Sequence, residues 1–197
     1  MKKKLQITAA AVLIVLLALN SAACRKEQDQ TAKGLRHAEI TIREYGTIKV
    51  ELDESAAPIT VDNFIRLAKA GFYDGLTFHR IIDGFMIQGG APNNGSDQSL
   101  IRKIKGEFRA NGVENPISHV KGVISMARAT DMNSGSTQFF ITVADAVSLD
   151  GKYAAFGRVT EGLEIAVRIA KDARPVDGNG TILPEEQPII EKIVITD

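Results

Sequence analysis

Residues 78–90 read FHRIIDGFMIQGG, and within that apolar run Arg80 and Gln88 stand out. A segment built to be buried carries a guanidinium and an amide. Arginine keeps its charge across physiological pH and donates through a planar fork. A glutamine beside it can hold the fork in place without neutralising it, as a carboxylate would. Walled by Phe78, Phe85 and Met86, the pair is a lasting cationic donor kept from water, suited to electron density that appears only in a transition state. In a plainer account Arg80 snorkels from a rim and Gln88 caps a strand edge. Taken alone, these two residues favour the plainer account.

Other groups offer less chemistry. His37, His79 and His119 are scattered, with no cysteine or carboxylate at ligand spacing, so no metal site is expected. Ser125, Ser134 and Ser136 lack the context of a nucleophile elbow. GGAPNNG at 89–95 follows no strand-to-helix pattern and reads as a turn, not a phosphate loop. Nothing calls for a cofactor.

The elements that must position Arg80 and Gln88 are legible from periodicity. HAEITIREYGTIKVELD has apolar residues at alternate places on either side of Tyr45-Gly46, which predicts a β-hairpin. APITVDNFIRLAKAG predicts a helix, with Pro58 in its first turn, Val61, Phe64, Ile65 and Ala68 on one face, and Gly71 at its C-terminal cap. Strands are expected over 77–82, 85–89, 122–127, 137–142 and 154–159. A second helix is expected from Glu161 to Lys171, and a last strand in IIEKIVIT. Strict alternation through the Asp83-Gly84 turn places Arg80 on the face of Phe78 and Ile82, and Gln88 on that of Met86. Eight strands and two helices without βαβ alternation predict an all-β fold, a closed eight-stranded antiparallel barrel capped by two α-helices.

Three segments in this order, TFHRIIDGFMIQGG, KGVISMARATDMNSGSTQFFIT and SLDGKYAAFGRV, resemble the signatures of cyclophilins, the peptidyl-prolyl cis-trans isomerases. The likeness runs from about His37 to the C-terminus, and IKGEF at 104–108 is closest to the bacterial branch. It implies the barrel already expected, with Arg80 as the catalytic guanidinium and Phe85 and Gln88 beside it. It also implies a proline pocket of Phe85, Met86, Phe140 and Leu149, with Gln138 as a second polar positioning group. Ala127, Arg128 and Ala129 fall on the segment that binds substrate backbone, and His79 and Tyr153 border the site. The implied partners are proline-containing polypeptides, and one copy of the chain is expected to suffice.

That chemistry accounts for the opening oddity. Rotation about a peptide bond is resisted by about 18–20 kcal/mol because the nitrogen lone pair is delocalised. At X-Pro the two isomers are close in energy, yet exchange takes tens to hundreds of seconds. No bond breaks, so no nucleophile or metal is needed. A charged donor aimed at the prolyl nitrogen favours the twisted state, where the lone pair is localised, over the planar one. A binding module, a proline-pocket chaperone or scaffold with incidental turnover, is the rival reading. It has no need of a guanidinium facing the bond.

The chain departs from the family's pattern in four places. Ser148 stands where many members carry Trp, which puts cyclosporin binding in doubt. Tyr153 replaces a common His, Arg128 replaces Asn, and 91–103 (APNNGSDQSLIRK) lacks the usual glycine-rich loop.

The N-terminus adds an address. Residues 1–23 have three Lys, an apolar run from Ala9 to Leu19 and small residues, the pattern of a signal peptide. Ser21-Ala22-Ala23-Cys24 resembles a bacterial lipoprotein signal, although Ser21 stands where Leu is usual. Cys24 is the only cysteine, so no disulfide can form within one chain. Residues 24–36 are then a lipidated N-terminus and flexible tether, and 37–197 the isomerase domain. The expected site is the cell envelope, lipid-anchored, on an outer membrane facing the periplasm if there are two membranes. A soluble periplasmic or secreted protein is the alternative. Without residues 1–23 the chain has 21 basic and 24 acidic residues, net −3, and no basic patch for nucleic acid.

Overall fold

The structure, a computed structural model, describes residues 34–197. The signal segment, Cys24 and the tether up to residue 33 lie outside the described residues. Eight strands and two helices follow in order: β1 (Leu35–Ile42), β2 (Gly46–Asp53), α1 (Pro58–Lys69), β3 (Phe78–Ile82), β4 (Met86–Gly89), β5 (Val123–Met126), β6 (Phe139–Thr142), β7 (Ala154–Glu161), α2 (Leu163–Asp172) and β8 (Ile190–Ile195). The first strand begins two residues before His37, because Leu35 pairs with Asp53 and Arg36 bonds Glu54 and Asp197. Glu161 ends β7 and does not open α2. Gly162, at φ +80, stands between them, where a Cβ would lie 2.6 Å from the Thr47 carbonyl.

All neighbouring strands are antiparallel, in the order β3-β4-β6-β5-β7-β2-β1-β8. The result is mainly β with two helices. No ladder joins the end strands β3 and β8, so the expected closed barrel appears as an open order of eight. The ends meet at one bridge, Thr77 to Ile189, at the bond from Phe78 N to the Pro188 carbonyl, and at the bonds from Gly75 N to the Ile190 carbonyl and from Ile190 N to the Leu76 carbonyl. Pro188, lacking an N–H, cannot extend that pairing.

The inner face of the sheet is filled. Phe64 of α1 packs at 5.3–5.4 Å, centroid to centroid, against Tyr73, Phe139 and Phe156. Such aromatic pairs each add about 0.5–1.5 kcal/mol beyond their burial. Val61, Ile65, Leu67 and Ala68 are the other apolar residues that α1 buries. No side chain caps its start at Ala57. Glu107, in a loop distant in sequence, does so instead. Its Oε1 accepts from Ile59 N at 3.0 Å, and its Oε2 from Thr60 N at 2.8 Å and Thr60 Oγ1 at 2.7 Å.

One irregularity decides where the chemistry faces. Phe78 pairs with Gly89 and Arg80 with Gln88, so the register skips at His79. Phe78 and Ile81 are fully buried in the core, while Arg80 and Ile82 lie on the opposite face with Gln88 and Met86. Strict alternation, which put Arg80 with Phe78, is thus corrected by a bulge. Ladder pairing then lines up Arg80, Gln88, Phe140 and Ser125 across four strands. The adjacent row, Ile81, Ile87, Ile141 and Ile124, belongs to the core.

Candidate active site

Arg80 is held from two sides. Its Nε donates to the Asn179 carbonyl at 2.7 Å, and its Nη1 to Gln88 Oε1 at 3.1 Å and Met86 Sδ at 3.7 Å. Nη2 has no partner among the described residues. Gln88 is oriented in turn, its Nε2 donating to Gln138 Oε1 at 2.9 Å. The fork is fixed by neutral acceptors alone, so its charge is not compensated within the site.

Asn179 belongs to the loop before β8, which the sequence marks only as rich in Pro and Gly. Asp177 Oδ1 accepts from Asn179 N and Thr181 N, which folds the loop into a tight turn. Ile81 N then donates to the Gly180 carbonyl, and Ile182 N to that of His79, pressing the loop on β3. Gly180 is at φ +86 with no room for a Cβ, which would sit 2.6 Å from the Ile81 carbonyl. DGNG signals a turn, but no local pattern says that it lands on Arg80.

A cavity of about 180 Å³ opens beside the guanidinium, lined by Arg80, Phe85, Met86, Gln88, Ala127, Arg128, Phe140, Leu149 and Tyr153. That is below the ~300–1,000 Å³ of sites for drug-sized ligands and fits one side chain. Three expected residues do not line it. Gln138 acts through Gln88. Ala129 is exposed, and its N–H is taken by Ser134 Oγ at 2.9 Å. His79 sits at the bulge, with Nδ1 buried and unpartnered among the described residues.

Behind the cavity lies a cluster that the sequence does not disclose. The His119 ring stacks on Phe140 at 6.1 Å and 17°, while Tyr153 meets Phe140 edge-on at 5.9 Å. His119 Nδ1 is 2.9 Å from Asp150 Oδ1, and Nε2 is 3.0 Å from Ser125 Oγ. Burial pushes the imidazole below its ordinary value, against the opposing pull of Asp150. Burial acts to raise Asp150, but bonds from Ser118 and from the His119 backbone and ring outweigh it and hold that carboxyl low. A neutral ring with Nδ1–H donating to Asp150 and Nε2 accepting from Ser125 satisfies every partner. The order Ser-His-Asp is that of a hydrolase triad, yet Ser125 is fully buried, out of reach of an acyl group. The cluster instead ties Phe140 to the loop that carries Leu149 and Tyr153.

A mainly β sheet with two helices, and an arginine lining a small cavity on the sheet's outer face, define a cyclophilin-like fold. It is similar to a cyclophilin type peptidyl-prolyl cis-trans isomerase of Cryptosporidium parvum, solved in the presence of the dipeptide Ala-Pro. The TM-score is 0.68 and the identity 30%, over 82% of this chain and 99% of that one. The family described as cyclophilin type peptidyl-prolyl cis-trans isomerase/CLD matches residues 37–196. The chain therefore belongs to the cyclophilin-type peptidyl-prolyl cis-trans isomerases. Peptidyl-prolyl cis-trans isomerase B of Bacillus subtilis is 42% identical over 138 residues, 70% of this chain and 87% of that protein. Peptidyl-prolyl cis-trans isomerase A of Dickeya dadantii is 40% identical over 131 residues, 64% and 67% of the two lengths.

Proposed function

We propose that the protein accelerates rotation about X-Pro bonds with Arg80 as its catalytic group. The proline ring enters the cavity between Phe85, Met86, Phe140 and Leu149, which exclude water and hold the ring. The free edge of the Arg80 fork then donates to the prolyl nitrogen as it becomes pyramidal, and the planar ground state offers it no comparable acceptor. Gln88, held by Gln138, keeps the fork aimed. The observation that carries this reading is the uncommitted Nη2 of a guanidinium otherwise fixed by Asn179, Gln88 and Met86. It also takes the β3–β8 seam to close the barrel, supported by the Thr77–Ile189 bridge.

The test is cis-to-trans exchange in short X-Pro peptides, followed by NMR exchange spectroscopy with and without the protein. Acceleration is expected at catalytic concentrations of protein. Binding of the peptides without acceleration would instead favour a proline-binding chaperone or scaffold.

We further propose that the protein is exported and anchored through a lipid on Cys24, so that its substrates are envelope or secreted polypeptides. The support is the order of Lys, apolar run, small residues and cysteine at the N-terminus. Two or more acyl chains anchor stably where one does not. The full-length protein should partition with membranes and Cys24→Ser should not; a free, unacylated wild-type chain starting at Cys24 would rule the anchor out.

A further inference from the structure

Arg128 is the second guanidinium that lines the cavity. It is clamped between two rings, with its central carbon 4.7 Å from the centre of Tyr153 and 5.1 Å from that of Phe108. Its Nε donates to the Lys152 carbonyl at 2.9 Å, and its Nη1 to the Ala129 carbonyl at 2.9 Å and the Thr130 carbonyl at 3.4 Å. No carboxylate is among these partners, and Nη2 has none among the described residues. Five contacts therefore hold the charge in one place without neutralising it.

That place is a boundary. Tyr153 belongs to the proline cavity and Phe108 to a smaller depression beside it, and Arg128 lines both. The ionised residues lining the two are Arg80, Arg128 and Lys105, all cationic, and no Asp or Glu lines either. The depression is only about 10 Å³, so a peptide whose proline fills the cavity and whose neighbouring residue runs over the depression passes this guanidinium. The charge is partly shielded from water by two rings, which strengthens its pull relative to an open surface.

We infer that Arg128 is a specificity-determining residue, selecting X-Pro segments that carry an acidic side chain within two residues of the proline and disfavouring basic ones. The inference rests on the proline-isomerase reading of the cavity. It adds a class of substrate: acidic proline-containing segments of polypeptides. An exposed pair is worth little, but attraction of Glu and repulsion of Lys act together at a fixed charge, so the expected preference is about tenfold at low salt.

The experiment uses uncharged reference peptides and variants with Glu or Lys at each of the two positions before the proline and the two after it. Binding is read by fluorescence anisotropy and turnover by exchange NMR, at about 20 mM and about 500 mM salt, which differ strongly in screening. At one position or more the wild type should favour Glu over Lys about tenfold, and salt should compress the ratio. Arg128→Gln should bring it below about twofold, and Arg128→Lys should keep part of it. Equal treatment of Glu and Lys peptides by the wild type would overturn the inference. So would a ratio that Arg128→Gln leaves intact while slowing every peptide alike, the signature of a mere brace for Tyr153. If the wild type rotates no peptide, the isomerase reading fails, but the binding ratio still decides the role of Arg128. If Arg128→Gln does not fold, the salt dependence and Arg128→Lys carry the decision.

Discussion

Arg80 and Glu107 are both charged side chains in largely apolar surroundings, and they differ in what is left over. Each oxygen of Glu107 accepts at least one bond, three in all, from the first turn of α1, and the residue is 2% exposed. Arg80 has neutral partners at Nε and Nη1, leaves Nη2 uncommitted and borders a cavity. One charge is used up by the fold, at a helix N-terminus where a carboxylate is favoured. The other is positioned by the fold and not consumed by it. Glu107 is buried and Arg80 only half-buried, and what sets Arg80 apart chemically is the unspent donor.

Removing each should therefore fail in a different way. Glu107→Ala strands buried donors of α1 and should cost about 4 kcal/mol of stability in urea unfolding. Turnover per folded molecule should stay within about twofold. Glu107→Gln keeps one acceptor and should cost less. A fully stable Glu107→Ala protein with lost activity would erase the distinction. Arg80→Ala should do the reverse. Loss of one preorganised donor costs about 3 kcal/mol in the barrier, a hundredfold or more in rate, with the unfolding midpoint almost unmoved. Arg80→Lys should restore little, since an ammonium lacks the fork. Wild-type rates from Arg80→Ala would end the proposed mechanism.

The same contrast explains what could be read from sequence. All eight strands and both helices announce themselves through period and turn residues, because each buries one face locally. Arg80 and Gln88 stand out because they interrupt such a pattern. Glu107 does not, since a Glu in IKGEF looks like any exposed acid until α1 is brought beside it. Asn179 acts through a backbone carbonyl, which no residue type encodes. The bulge at His79 was hidden for a related reason: HR reads as continuous strand, and only the Phe78–Gly89 and Arg80–Gln88 pairings expose the skipped residue. The Ser125–His119–Asp150 cluster joins residues 6 and 31 positions apart through tertiary packing.

Histidines offer the finest probe of the contrast, because their charge can be changed without mutation. Burial pushes both His79 and His119 below the ordinary histidine value of 6.5. The unfolded chain thus takes up protons near pH 6.5 that the folded chain still refuses. Their contribution is intact above that pH, and stability falls as pH drops from about 6.5 towards the lower folded values. Two such groups give a slope of at most about 2.7 kcal/mol per pH unit. Asp150 and Asp177 are held low instead, so what they contribute goes only at more acid pH, below the ordinary carboxylate value of 3.8. The proposed rotation step transfers no proton, so kcat/KM on an uncharged peptide should be flat from pH 6 to 8. Urea unfolding from pH 7.5 to 5 should show the decline, and His119→Gln should roughly halve its slope. Stability that stays level down to pH 5.5 would mean that these imidazoles accept protons in the folded state. His119 would then be a charged partner of Asp150 and not a neutral backing for Phe140.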